Sequence, residues 1–314
     1  MIIQSGFLTE GLFGEAFTWI LELLPWIDSN GLKPAWEIRS RNYGAPPAYN
    51  IFPAVLQTTY DPDPDPSRIE FFEKLLEEHR FHFRGDFELA SRYWHSHLRF
   101  TDDVYQRLDC FLNDHGSPQP IIGVHYRGTD KNADSGQTNP ISRSQFLRAL
   151  EDFITGLPGA KSLFVATDDA RFLDEVHAFA EGRWQVLAHP QRRSENDSPI
   201  FNSHGEEQNL EIARSAVLDC LTLSRCHSVF ATMSALSAFA KVLNPEVEVY
   251  RAASCRPNWF PVAYTRRYKG RQMHVRAMLI RLQIGDWDSN LAEKLIAFPN
   301  RVHRKLARIL AASR

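Results

Sequence analysis

The sequence predicts an α/β protein built on a doubly wound parallel sheet. Three observations carry this. From residue 121 onward short apolar runs alternate with amphipathic segments, polar clusters follow three of those runs directly, and 43% of the 314 residues are hydrophobic, with 21 Phe and 7 Trp. Strands alternating with helices pack as a parallel sheet covered on both faces. The length suggests about two domains. The net charge of −2 supplies no global field for holding nucleic acid. The apolar content excludes wholesale disorder, and no apolar run reaches the roughly 18 residues of a membrane span.

Taken in order, Leu12, Phe13, Phe17, Ile20, Leu21 and Leu24 recur at helical spacing over about Glu10–Leu24, with Thr9 as cap and Pro25 stopping or bending the helix. Trp36–Arg39 reads as a short strand. Tyr43–Pro66, ending in alternating Asp and Pro, reads as a stiff exposed loop. Charged amphipathic helices follow over Ile69–Leu89, broken near Gly85, and over Asp102–Leu112. Asn113–Pro118 is turn-rich and marks the expected domain boundary.

The second half predicts strands at Ile121–Tyr126, Ser162–Thr167, Gln185–Leu187, Ser228–Thr232 and Glu246–Tyr250. Helices are expected at Ser142–Ile154, Ala170–Phe179, Glu206–Ser224 and Ser234–Leu243. The four cysteines, Cys110, Cys220, Cys226 and Cys255, form no C-x-x-C and read as free thiols in a reducing compartment. The first residues lack a basic segment ahead of an apolar one, so a cytoplasmic location is expected.

Parallel sheets bind ligands at the carboxyl ends of their strands. Here those ends carry His125-Tyr126-Arg127-Gly128-Thr129-Asp130-Lys131, then Thr167-Asp168-Asp169, then Thr232-Met233-Ser234. Cations, carboxylates, hydroxyls and a helix N-terminus at Ser234-Ala235 would share one rim, a set suited to an anionic group such as a diphosphate. Arg127 can grip phosphate oxygens bidentately, Gly128 allows close backbone approach, and the amides opening the Ser234 helix add donors and a favourable dipole.

The run from His125 to Lys131, preceded by Ile122-Gly123-Val124, resembles the first motif of the α-1,6-fucosyltransferase and NodZ-type fucosyltransferases. The protein O-fucosyltransferases are more distant relatives of that pattern. Ala166-Thr167-Asp168-Asp169 is similar to their second motif, and Leu218-Asp219 with Thr232–Leu236 to their third. The match covers about residues 119–250. The resemblance implies a GT-B-type architecture: two Rossmann-like domains with a cleft between them, residues 1–118 on the acceptor side, 119–260 holding the nucleotide-sugar, and 261–314 a helical tail. It implies an inverting, metal-independent transferase that uses GDP-fucose as donor substrate and needs no cofactor. The acceptor would be a saccharide, glycolipid or protein hydroxyl. By matching positions, Arg127 would hold the β-phosphate, His125 and Asp219 would contact guanine, and the helix start at Ser234-Ala235 would contact the diphosphate. Asp168 and Asp169 would hold the motif loops, and Gly14 would face the diphosphate from the N-terminal domain.

The chain departs from that pattern in three places. Gly128 stands where some relatives have a second arginine, and Ala235-Leu236 where they have serine and glutamine. No glutamate follows Lys131; Ser135 falls at that position, and Asp134 beside it is the candidate base. Another nucleoside-diphosphate sugar as donor, or a non-catalytic nucleotide-sugar or glycan-binding protein, are the competing readings. Asp61-Pro62-Asp63 and Asp286-Trp287-Asp288 read as chance D-x-D patterns, and Gly156–Ser162 as a turn rather than a phosphate loop. The segment from Arg192 to Gln208 reads as a lid over the rim or as a surface loop. Residues 299–314 form a basic amphipathic pattern, through Arg301, Arg304, Lys305 and Arg308, that suits docking on the body or peripheral contact with the inner membrane surface.

Overall fold

The computed structural model describes residues 1–6, 8–44, 49–115, 120–128, 141–157, 159, 162–196, 200, 206–252 and 266–267. In the N-terminal half, β1 (Ile2–Gln4) lies between β2 (Ala35–Glu37) and β4 (Ile69–Phe71) in a three-stranded parallel sheet. Between β1 and β2 the chain makes a π-helical turn, Leu12–Phe17, that runs into α1 (Thr18–Ser29).

Two details differ from the sequence expectation. Thr9 does not cap the helix; it bridges to Ser40, and its hydroxyl donates to the Arg39 carbonyl at 3.1 Å. Glu15 takes over instead, its carboxylate accepting the Glu10 and Gly11 amides at 2.9 and 3.1 Å. Pro25 lies inside α1 rather than ending it. An interior proline costs about 3 kcal/mol. The fully buried Ile20, Leu21, Leu24 and Ile27 on the same helix outweigh that at roughly 1.5–3 kcal/mol each.

The stretch expected as a loop contains α2 (Phe52–Val55) and β3 (Leu56–Thr58). β3 pairs antiparallel with β5 (Leu98–Phe100), while the Asp-Pro run stays irregular. Likewise β4 takes the first residues of the helix expected from Ile69. α3 (Phe72–His79) and α4 (Phe87–His97) then follow, and α5 (Asp102–His115) runs into the expected boundary.

The second half follows its prediction closely. β6 (Ile121–Tyr126), β7 (Ser162–Thr167), β8 (Gln185–Leu187), β9 (Ser228–Ala231), β10 (Glu248–Arg251) and β11 (Arg266–Arg267) form one sheet in the order β11-β10-β9-β6-β7-β8. All its pairings are parallel. The intervening helices are α6 (Arg143–Thr155), α7 (Ala170–Ala180), α8 (Glu206–Leu223) and α9 (Ala235–Leu243). The strand order grows outward from β6 in one direction and from β9 in the other. The topological switch, where such sheets open a ligand crevice, therefore lies between β6 and β9.

One face of the sheet packs Phe146, Phe153, Phe172 and Phe230 into a core with α6 and α7. The other face carries α8 and α9, and its core is continuous with that of the N-terminal half. Phe239 of α9 is the hub, with ring centroids 5.6 Å from Phe13, 5.9 Å from Phe17 and 4.8 Å from Trp94. α8 presses so close to β6 that a Cβ on Gly123 would lie 2.7 Å from Leu223 Cδ2.

Candidate functional site

Strand alternation sets the site. Along β6 and the residue that follows it, side chains i and i+2 share a face, so His125 and Arg127 line one cavity. Tyr126 turns the other way, stacks on Phe172 at 4.2 Å and donates its hydroxyl to Ile141 O at 3.1 Å. The strand ends are laced together by hydroxyls. Thr167 Oγ1 donates to Tyr126 O at 2.7 Å, and the Arg127 amide donates to Thr232 Oγ1 at 2.9 Å. The Gly128 amide reaches Asp168 Oδ1 at 3.4 Å, and a Cβ on Gly128 would stand 2.4 Å from Tyr126 Cε1.

The two adjacent aspartates do different work. Asp169 is buried, caps α7 by accepting the Phe172 amide at 3.2 Å, and accepts Arg143 Nε at 2.7 Å. Asp168 lines the cavity.

The cavity holds about 480 Å³. It is closed on one side by α8, whose Glu211, Ser215 and Asp219 follow one another at four-residue spacing, and is bordered by Tyr43 from the N-terminal half. Beside α8 runs a strap, residues 189–194. His189 Nε2 and Thr222 Oγ1 lie 2.8 Å apart, and Gln191 Nε2 donates to Asp219 Oδ2 at 2.7 Å. Arg193 folds back onto the carbonyls of Gln191 and His189 at 3.1 and 3.0 Å. Ser194 joins the end of β7: its amide donates to Asp168 O at 2.7 Å and its carbonyl accepts the Ala170 amide at 2.9 Å. The front of the segment read as a lid or surface loop is thus tied down.

Burial, and then the neighbouring Arg127 charge, push His125 down to about 3, so its ring is neutral. Burial pushes His189 down to about 4. Burial raises the Asp219 carboxyl to about 7, opposed by the Gln191 hydrogen bond and the Arg193 charge and reinforced by Asp168. His125 Nδ1, Asp219 Oδ1 and Gln191 Oε1 are buried without a hydrogen-bond partner among the described residues. Each such group costs roughly 1–3 kcal/mol, and all three belong to residues lining the same cavity.

The structure therefore brings His125, Arg127, Asp168 and Asp219 together. Ser234 and Ala235 open α9 beside them, with Leu236 on the cavity wall. The Leu236 amide is not open to a ligand as expected, because Ser234 Oγ accepts it at 3.2 Å. Gly14 lies in the π-helical turn and is not among the lining residues. Asp130, Lys131, Asp134 and Ser135 fall outside the described residues, as does most of 261–314. Among the described residues no three His, Cys, Asp or Glu side chains gather as a metal site, and no helix is long and apolar enough to cross a membrane.

Sequence reasoning missed Tyr43, Gln191, Glu211 and Ser215. The spacing of 211, 215 and 219 on one helix was the available signal; Tyr43 and Gln191 come from irregular segments that carry no periodicity.

No family profile matches the chain, and no curated protein matches it. Among solved structures the fold is similar to NodZ α-1,6-fucosyltransferase soaked with GDP-fucose. That similarity has a TM-score of 0.56 at 19% identity over 80% of this chain and 94% of NodZ. NodZ co-crystallised with GDP gives 0.54 at 19% identity, over 80% and 94% of the two chains. Fucosyltransferase NodZ from Bradyrhizobium gives 0.53 at 19%, over 79% and 93%. The mixed α/β fold with parallel sheets is therefore one this chain shares with the NodZ-type fucosyltransferases.

Proposed function

We propose that the chain is an inverting, metal-independent glycosyltransferase that moves fucose from GDP-fucose to a hydroxyl of a saccharide, glycolipid or protein. The observation that carries this reading is the convergence of His125, Arg127, Asp168 and Asp219 on one cavity at the switch point of the sheet. The fold similarity to NodZ, solved with GDP and soaked with GDP-fucose, supports it. In this reading residues 1–118 and 119–260 are two Rossmann-like units of a GT-B arrangement meeting at the cavity, followed by the tail 261–314.

His125 and Asp219 hold the guanine, and Arg127 holds the β-phosphate, with Asp168 beside it on the wall. The acceptor oxygen forms a bond to the anomeric carbon from the face opposite the diphosphate. The bond to the diphosphate oxygen breaks, and its electron pair leaves with GDP. The transition state is oxocarbenium-like. Negative charge grows on the departing oxygen, so a preplaced guanidinium stabilises the transition state more than the bound donor. Asp134 is the proposed base that takes the acceptor proton.

Thermal stabilisation by GDP, UDP, ADP and CMP, each with and without EDTA, tests the reading. The expected result is a shift with GDP alone, indifferent to the chelator; a preference for UDP overturns the donor. A non-catalytic nucleotide-sugar-binding protein is favoured by one observation, the Leu236 amide already held by Ser234. Slow donor hydrolysis, abolished by Arg127→Ala, separates an enzyme from that binder. Peripheral membrane contact through 299–314 is tested by liposome flotation with and without that segment.

A further inference from the structure

The strap and α8 carry a second layer of information about the ligand. Asp219 presents two carboxylate oxygens, but Oδ2 is taken by Gln191 Nε2 at 2.7 Å. The Gln191 amide turns its N–H toward Asp219 and its side-chain carbonyl away. What remains is one acceptor on each residue, Asp219 Oδ1 and Gln191 Oε1, both buried and unpartnered among the described residues. The residues sit side by side on the cavity wall. The strap cannot swing the amide away freely, since Arg193 holds the Gln191 main-chain carbonyl and His189 and Ser194 anchor its ends.

Two adjacent acceptors ask for two adjacent donors. Of the common bases, guanine alone offers a ring N–H next to an exocyclic amino group on one edge. Adenine sets its amino group beside a ring acceptor, and uracil sets its ring N–H between two carbonyls. With Oδ2 engaged by Gln191, the open acceptor on Asp219 is Oδ1.

We propose that Gln191 is a specificity-determining residue of this site: its amide nitrogen fixes Asp219, and its carbonyl oxygen accepts the exocyclic amino group of the base while Asp219 Oδ1 accepts the ring N–H. This rests on the reading that a guanine nucleotide occupies the cavity. It assigns base discrimination to a contact outside the three motifs.

Inosine diphosphate keeps the ring N–H and lacks the amino group, so it isolates the contact. Calorimetric titration of wild type and Gln191→Met with GDP and with inosine diphosphate is the test. Wild type is expected to prefer GDP by about tenfold, the scale of one lost hydrogen bond that leaves a buried acceptor unpaired. In Gln191→Met, a near-isosteric change, the two nucleotides should bind within about twofold of each other. A purely structural role for Gln191 would weaken both equally and preserve the ratio. An unchanged ratio in the variant, or no preference in wild type, overturns the inference while leaving the nucleotide site standing. Absence of any GDP binding by wild type overturns the proposed function, and this inference with it.

Discussion

The backbone amide of Arg127 is bound to the hydroxyl of Thr232 at 2.9 Å, so the residue that follows β6 is fixed by the residue that follows β9. The two strands flank the switch point. The guanidinium is thus presented from a main chain that a second strand holds still, as electrostatic preorganisation requires.

Removing the guanidinium should remove that effect. Arg127→Ala is expected to lose at least about 3 kcal/mol of transition-state stabilisation, measured as kcat/KM for transfer or donor hydrolysis. Arg127→Lys should not restore it, because a point charge lacks the planar fork. Turnover of Arg127→Ala near the wild-type rate would remove the site assignment.

Thr232→Val keeps the shape and deletes the acceptor. The Arg127 amide then loses that acceptor, at roughly 1–3 kcal/mol of stability, and kcat should fall more than nucleotide affinity. Thr232→Ser should recover both. Equal unfolding midpoints for wild type and the valine variant would show that the contact contributes nothing.

Gly128→Ala places a methyl carbon 2.4 Å from Tyr126 Cε1 and 3.1 Å from Asp169 Oδ2. Tyr126 is buried and stacked on Phe172, so its ring has no room to withdraw. The expected cost is about 1–3 kcal/mol, visible as a lower Tm; an unshifted Tm would mean the ring relaxes without strain.

Asp219 and His125 give opposite pH signatures. The Asp219 carboxyl titrates near 7 when folded against 3.8 ordinarily, so folding takes up a proton between those values. Its contribution to stability is therefore fullest below about pH 4 and is lost as pH rises toward 7. Asp219→Asn should be more thermostable than wild type at pH 8, the gap closing toward pH 4, while losing GDP binding. A variant no more stable at pH 8 contradicts the buried acid. His125 titrates near 3 instead of 6.5, so the folded state takes up fewer protons than the unfolded one across that window, and its contribution falls as pH drops below 6.5. In NMR titration, His125 and His189 should stay unprotonated from pH 8 to 5.5; movement of the His125 resonances would show the ring is solvated.

Where the chain alternates buried strands with amphipathic helices, the sequence was nearly sufficient. Ile121–Tyr126 and Ser162–Thr167 came out at their observed limits, because a strand buried on both faces is an uninterrupted apolar run. The helices expected from Ser142 and Ser234 begin one residue later, with each serine as the cap. The N-terminal half was harder. Its strands are three residues long, too short for any period to register, and β4 runs straight into α3. Of the site, the residues on strand ends were legible. Gln191 was not, because its role depends on which α8 residue the strap meets.

Phe239 ties the helix that opens beside the ligand cavity to rings contributed by the first hundred residues. A clamshell motion between the halves would strip that aromatic cluster into water, an expense of several kcal/mol at roughly 25 cal/mol per Å². Whatever admits and releases the ligand must work by small local displacements around the cavity mouth, with the two halves travelling as a single piece.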